Sequence, residues 1–150
     1  MVQRAPDPPQ PDGRRKGGDA LAVFRRTPAG QVDPVVDGDE LHPGDAIRFR
    51  VTLARDGYAG VFGVDAAAVV TAYAPLGPTL ERLARGTATV LDGSIILDGT
   101  LGAEHVVLVV CDAARPVAAI IAAASAVPAP ADRVTSDCRE TWVRVVKVKP

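Results

Sequence analysis

The chain has 150 residues, with 17 Lys and Arg against 18 Asp and Glu, two Cys, 47% hydrophobic and 4% aromatic residues. That length suits one domain, which buries roughly 70% of the surface its unfolded chain exposes and so needs no metal or disulfide scaffold. A formal net charge of −1 offers no field for nucleic acid or an anionic membrane, and so few rings leave no stacking platform for single strands.

Residues 1–15 carry four prolines in a polar run and read as a Pro-rich linker or disordered tail, ahead of a domain over 16–150. The first twelve residues lack the apolar stretch of a secretory signal, and no run reaches the roughly 18 apolar residues of a membrane span. A targeting or membrane segment is therefore expected only upstream of this chain. Arg14, Arg15 and Lys16 make a basic cluster too short for a polybasic membrane signature.

From Asp19 onward, short β-type runs alternate with Gly, Pro and Asp punctuation. Residues 21–26 read as a strand. Residues 46–53 are the clearest, with Ile47, Phe49, Val51 and Leu53 on one face and Arg48, Arg50 and Thr52 on the other. Residues 58–64, with Tyr58, Phe62 and Val64 on a core-facing side, and 69–74 follow as a hairpin turning at 65–68. A short helix is read over 78–86, with Leu80, Leu83 and Ala84 on one face and Gly86 ending it. Strands come next at 94–97 and 105–111, and Val106 to Val110 is apolar at every position, which predicts a central strand covered on both faces. An Ala-rich helix is expected over 116–126, opened by Pro116 and stopped before Pro128, then a surface loop over 127–137 and a last strand over 142–148. The sum is a mainly β, sandwich-like domain of about seven strands with one or two packed short helices.

The chemistry-bearing residues are sparse. There is no phosphate loop, nucleophile elbow or paired metal-ligand spacing, so no cofactor, metal or catalytic residue is expected. Gly57, Gly60 and Gly63 fall inside a strand, where close packing or a bulge explains them better than a nucleotide site. The acidic run at 36–40 with Asp45 reads as an exposed turn, because it lacks the order of a calcium loop. His105 and Cys111 lie about 20 Å apart if both sit on one extended strand, which leaves His42 with Cys138 as the open pairing. In an oxidising compartment Cys111 and Cys138 are expected to pair, closing a loop worth roughly 3.5 kcal/mol; in a reducing cytosol they would be free thiols. Arg48 and Arg50, with Arg25, Arg26 and Arg55 expected nearby, form a candidate binding face, set against the plainer reading of a solvated sheet surface.

The run 41–49 with its Pro43-Gly44-Asp45, then Gly57-Tyr58 through Asp65, then 70–75 ending in Pro75, resembles the bacterial domain-of-unknown-function family 4384. Arg85-Gly86-Thr87, Ile96-Leu97-Asp98 and Leu101 to Glu104 extend the likeness over residues 16–112. The resemblance implies a β-rich accessory domain of bacterial membrane-anchored or multidomain proteins, including caspase-like peptidases and kinases, and carries over no catalytic residue. Where that family has Gly after Asp65 this chain has Ala66, Ala67 and Ala68, which argues against a tight two-residue hairpin.

Together these readings lead to an expectation of a non-catalytic, extracytoplasmic (periplasmic) accessory domain that binds a protein partner or cell-envelope component, with a cytoplasmic location as the alternative. Two rivals stand beside it. One is a small-ligand or polysaccharide module using the arginine face; the other is an unrecognised hydrolase built around His42.

Overall fold

A computed structural model describes residues 12–14, 18–86, 88–91, 95–125 and 138–149. The expected linker lies outside these residues except for Asp12–Arg14, which form strand β1, and the loop expected over 127–137 lies outside them altogether. The chain is mainly β: two sheets packed face to face, with one helix against the second.

The first sheet is built on β2 (Ala20–Arg26) and β5 (Ala46–Thr52), paired antiparallel from Ala20↔Thr52 to Arg26↔Ala46. The free edge of β2 is taken by β1 and by β3 (Val32–Val35), whose Pro34 occupies an edge position where a missing ladder donor is tolerated. The free edge of β5 is taken by β9 (Thr89–Val90) and β10 (Ile95–Ile96). The second sheet runs β4 (Glu40–Leu41), β12 (Cys138–Lys147), β11 (Gly102–Cys111), β6 (Gly57–Val64), then β7 (Val70–Ala74) and β8 (Glu81–Leu83) side by side on β6. Among the described residues only β4 pairs in parallel, with β12.

Alternation explains the core. Leu21, Val23, Ile47, Phe49 and Val51 of the first sheet meet Ala59, Val61, Val106, Leu108, Val110, Val143 and Val145 of the second. The other face of the second sheet is apolar too, because α1 (Val117–Ser125) lies on it, with Val117 and Ile120 buried among Phe62, Leu80, Val107, Val109 and the two cysteines. This third layer is why the Val106 to Val110 stretch of β11 has no polar alternation, as its unbroken apolar run predicts.

The helix expected over 78–86 is a strand instead. Leu80, Leu83 and Ala84 fit a helical face, but β8 finds an open edge on β6, pairing Gly57↔Leu83 to Ala59↔Glu81, and Pro78 and Leu80 are tied to Val117 and Arg115 by backbone hydrogen bonds. A short apolar run carries too little periodicity to separate the two states. Pro116 stands one residue before α1, and its carbonyl accepts from Ala119 and Ile120.

The turns follow their residues. In His42-Pro43-Gly44-Asp45 the Asp45 N–H donates to the His42 carbonyl and Gly44 has φ +92°, the type II arrangement that needs Pro then Gly. The hairpin at 65–69 is a three-residue loop rather than a two-residue one: Ala68 donates to the Asp65 carbonyl, Asp65 donates to Val69, and Ala68 takes φ 64°. The Asp65 carboxylate accepts from the N–H groups of Ala67 and Val69, each at 2.9 Å.

Candidate functional site

Among the described residues, the outward face of the first sheet carries arginines beside exposed aliphatic side chains. Strand register sets its side chains in rows across the sheet. One row reads Val32, Arg26, Ala46, Ile96; the next reads Pro34, Phe24, Arg48; the third reads Ala22, Arg50, Val90. Arg50 lies over the Phe24 ring, 5.1 Å from its centroid. Among the described residues Arg26, Arg48 and Arg50 have no carboxylate partner, and Val32 and Ile96 are 62% and 64% exposed. Between the first two rows lies an open groove of about 460 Å³ lined by Phe24, Arg25, Arg26, Val32, Ala46, Arg48 and Ile96.

The five arginines considered from the sequence therefore separate. Arg26, Arg48 and Arg50 share the outward face. Arg25 shares register with Ile47, on the core side, where it donates to the Glu40 carbonyl at 3.0 Å and faces Asp33 at 3.6 Å. Arg55 lies beyond the other end of β5, exposed and 3.4 Å from Asp112. Asp112 also faces Arg139, whose guanidinium holds the buried Asp19 at 2.7 Å while Asp19 accepts from the Ala54 N–H.

A second polar group is enclosed between the sheets, and composition gave no sign of it. Tyr73 stacks parallel on Phe49, 5.8 Å between centroids, and its hydroxyl donates to Glu104. Lys147 lies 3.1 Å from the same carboxylate and 2.8 Å from Asp98. Glu104 and Lys147 are 2% and 3% exposed, whereas the Asp98 side chain is 69% exposed at the mouth. Burial, and then the Glu104 charge, push the Tyr73 phenol well above its ordinary range. Burial pulls the Lys147 ammonium down, but Asp98 and Glu104 outweigh it and hold it above 10.5. Asp98 is held low by the Lys147 hydrogen bond and by the Thr100 N–H. Both Tyr73 and Lys147 thus keep their protons, so neither is an activated nucleophile and the group acts as an internal tie. The signal available in sequence was Gly63: a Cβ there would strike the Tyr73 hydroxyl. Gly57 and Gly60 are likewise close-packed, against Val110 and Leu80, each at 2.7 Å from a hypothetical Cβ.

Cys111 and Cys138 face each other across β11 and β12 with sulfurs 2.06 Å apart, so Cys138 is no partner for His42. The His42 ring contacts the Val148 carbonyl at 3.1 Å. His105 packs edge-on to Trp142, and burial followed by Arg144 lowers its pKa below 6.5. In the acidic run, carboxylates are spent on backbone: Asp39 accepts from Val36, Asp37 from Arg144 and Asp45 from His42. Among the described residues no group of three His, Cys, Asp or Glu is arranged to hold a metal ion, and no helix is long and apolar enough to cross a membrane. Compared with models of protein families, with curated proteins and with solved structures, the chain has no match.

Proposed function

We propose that this domain is a non-catalytic contact module of a bacterial protein, working outside the cytoplasm and binding a protein partner through the outward face of its first sheet. The observation that carries this reading is the set of three arginines without described carboxylate partners, interleaved on one face with exposed Val32, Val90 and Ile96. Ordinary solvated sheet faces pair their charges or leave isolated ones; arginines beside exposed aliphatics are the composition of a protein interface. The paired cysteines support an oxidising compartment. The likeness to bacterial accessory domains supports attachment to a larger protein.

Photocrosslinking in the native cell tests this. A photoreactive phenylalanine analogue in place of Val90, on the face, should yield a discrete heavier protein adduct, and the same analogue in place of Arg82, an exposed residue of β8, should not. An adduct carrying only glycan would replace the protein partner with the polysaccharide reading. Equal adducts from both positions, or none, would remove the face from the account.

A further inference from the structure

We infer that the groove on this face recognises an extended acidic peptide in which one carboxylate side chain is flanked, two residues away on either side, by apolar side chains; this rests on the contact reading above. The argument is one of spacing. Val32, Arg26, Ala46 and Ile96 occupy one row across four neighbouring strand positions. Adjacent strands are about 4.8 Å apart, so the two exposed aliphatic ends of the row are separated by three steps, about 14 Å. An extended peptide presents same-side residues every two positions, about 6.8 Å, so its first and fifth side chains are about 13.6 Å apart. The two lengths agree. A peptide lying across the strands sets its first and fifth side chains against Val32 and Ile96 and its third midway along the row, between Arg26 and Ala46.

Ala46 is the small residue of the row and leaves room for that third side chain. Arg26 beside it and Arg48 in the next row flank the same spot, and among the described residues neither has a carboxylate of its own. A carboxylate there meets two guanidinium donors, each suited to bidentate recognition, and the remaining donors reach peptide carbonyls. Arg50 takes no direct part; over the Phe24 ring it holds the wall of the groove. The ring is thereby capped, which removes the flat surface a sugar would stack on. A single acyl chain in the groove would bury the arginine heads in hydrocarbon, so an anionic lipid fits worse than a peptide.

Fluorescence anisotropy with labelled seven-residue peptides tests the inference on the full chain. The probe carries leucines at its second and sixth positions and glutamate at its fourth, with serine elsewhere. It should bind at least tenfold more tightly than a version with lysine at the centre, and than one with the leucines three positions apart. Ala46→Leu, which fills the groove, and Arg26→Ser with Arg48→Ser should each weaken binding at least tenfold with the melting temperature unchanged, while Arg82→Ser should have no effect. Equal binding of both leucine spacings, insensitivity to Ala46→Leu, or no binding up to millimolar peptide would overturn the inference. So would sedimentation with phosphatidylglycerol vesicles in place of peptide binding. If the Val90 position captures a protein but the peptides fail, the spacing is wrong and the contact reading stands; if neither responds, both fail.

Discussion

Ala68 is a single residue whose backbone conflicts with its side chain. It takes φ 64° in the hairpin between β6 and β7, a conformation that costs an L-residue about 1–2 kcal/mol and costs glycine little. Replacing it with glycine also raises the entropy of the unfolded chain, which takes back part of the gain. Ala68→Gly should therefore stabilise by roughly 0.5–1 kcal/mol, read as a rise in the urea midpoint at constant slope. Tyr73 and Lys147 make the opposite kind of statement, about protons. Both have folded-state pKa values raised above their ordinary 10.0 and 10.5, so the stability they contribute is fully present below about pH 10 and is lost as pH rises through the folded values. Chemical denaturation between pH 8 and 12 should show this alkaline loss, and Tyr73→Phe should flatten it. His105 is depressed below 6.5, so its contribution is present above that value and is lost as pH falls through the lower folded one. His105→Gln should remove that mild acid limb. Lys147→Met leaves Glu104 buried with only the Tyr73 hydroxyl among these partners, and should cost about 3–5 kcal/mol, the usual penalty for orphaning a buried charge.

At the scale of elements, strands were legible where one face differs from the other. The alternation in β5 follows from its arginines facing out and its Ile47, Phe49 and Val51 facing the second sheet, so pattern and position are one fact seen twice. The Val106 to Val110 stretch of β11 was legible for the complementary reason, since it is covered on both faces and is apolar at every position. Strand β8 was not, because its state is decided by an edge on β6 that lies more than twenty residues back in the chain and leaves no trace in its own three residues. The small strands β3, β4 and β9 were missed for the same reason. Helix α1 was legible as a helix, and Ile120 is what docks it: fully buried, it joins Val109 and the cysteine pair. Ile120→Ala should keep helix propensity and lose about 2–4 kcal/mol, whereas Ala122→Ser on the exposed side should lie within about 0.5 kcal/mol of the parent.

For the whole molecule, the division of labour between the sheets decides what can touch a partner. The second sheet faces the first on one side and carries α1 on part of the other, and its buried Glu104 and Lys147 are turned inward onto each other. Among the described residues the first sheet is covered on one side only, and its outward arginines are the part of the site that strand alternation made readable. Alternation also divides Arg25 from Arg26, which the expected binding face had grouped together. Arg25 is one residue from Arg26, and a single step along a strand moves a side chain to the opposite side, here onto Glu40 and Asp33. Arg48→Glu combined with Arg50→Glu separates stability from contact. Neither residue is in the core, and among the described residues the interaction they lose, Arg50 over Phe24, is of the exposed kind worth about 0.5–1 kcal/mol. The double variant should thus unfold within about 1 kcal/mol of the parent by urea titration, while the Val90 crosslink disappears because the charge of the face has been reversed. A large loss of stability would mean that these arginines support the fold, and an undiminished crosslink would mean that their charge is not what the partner reads.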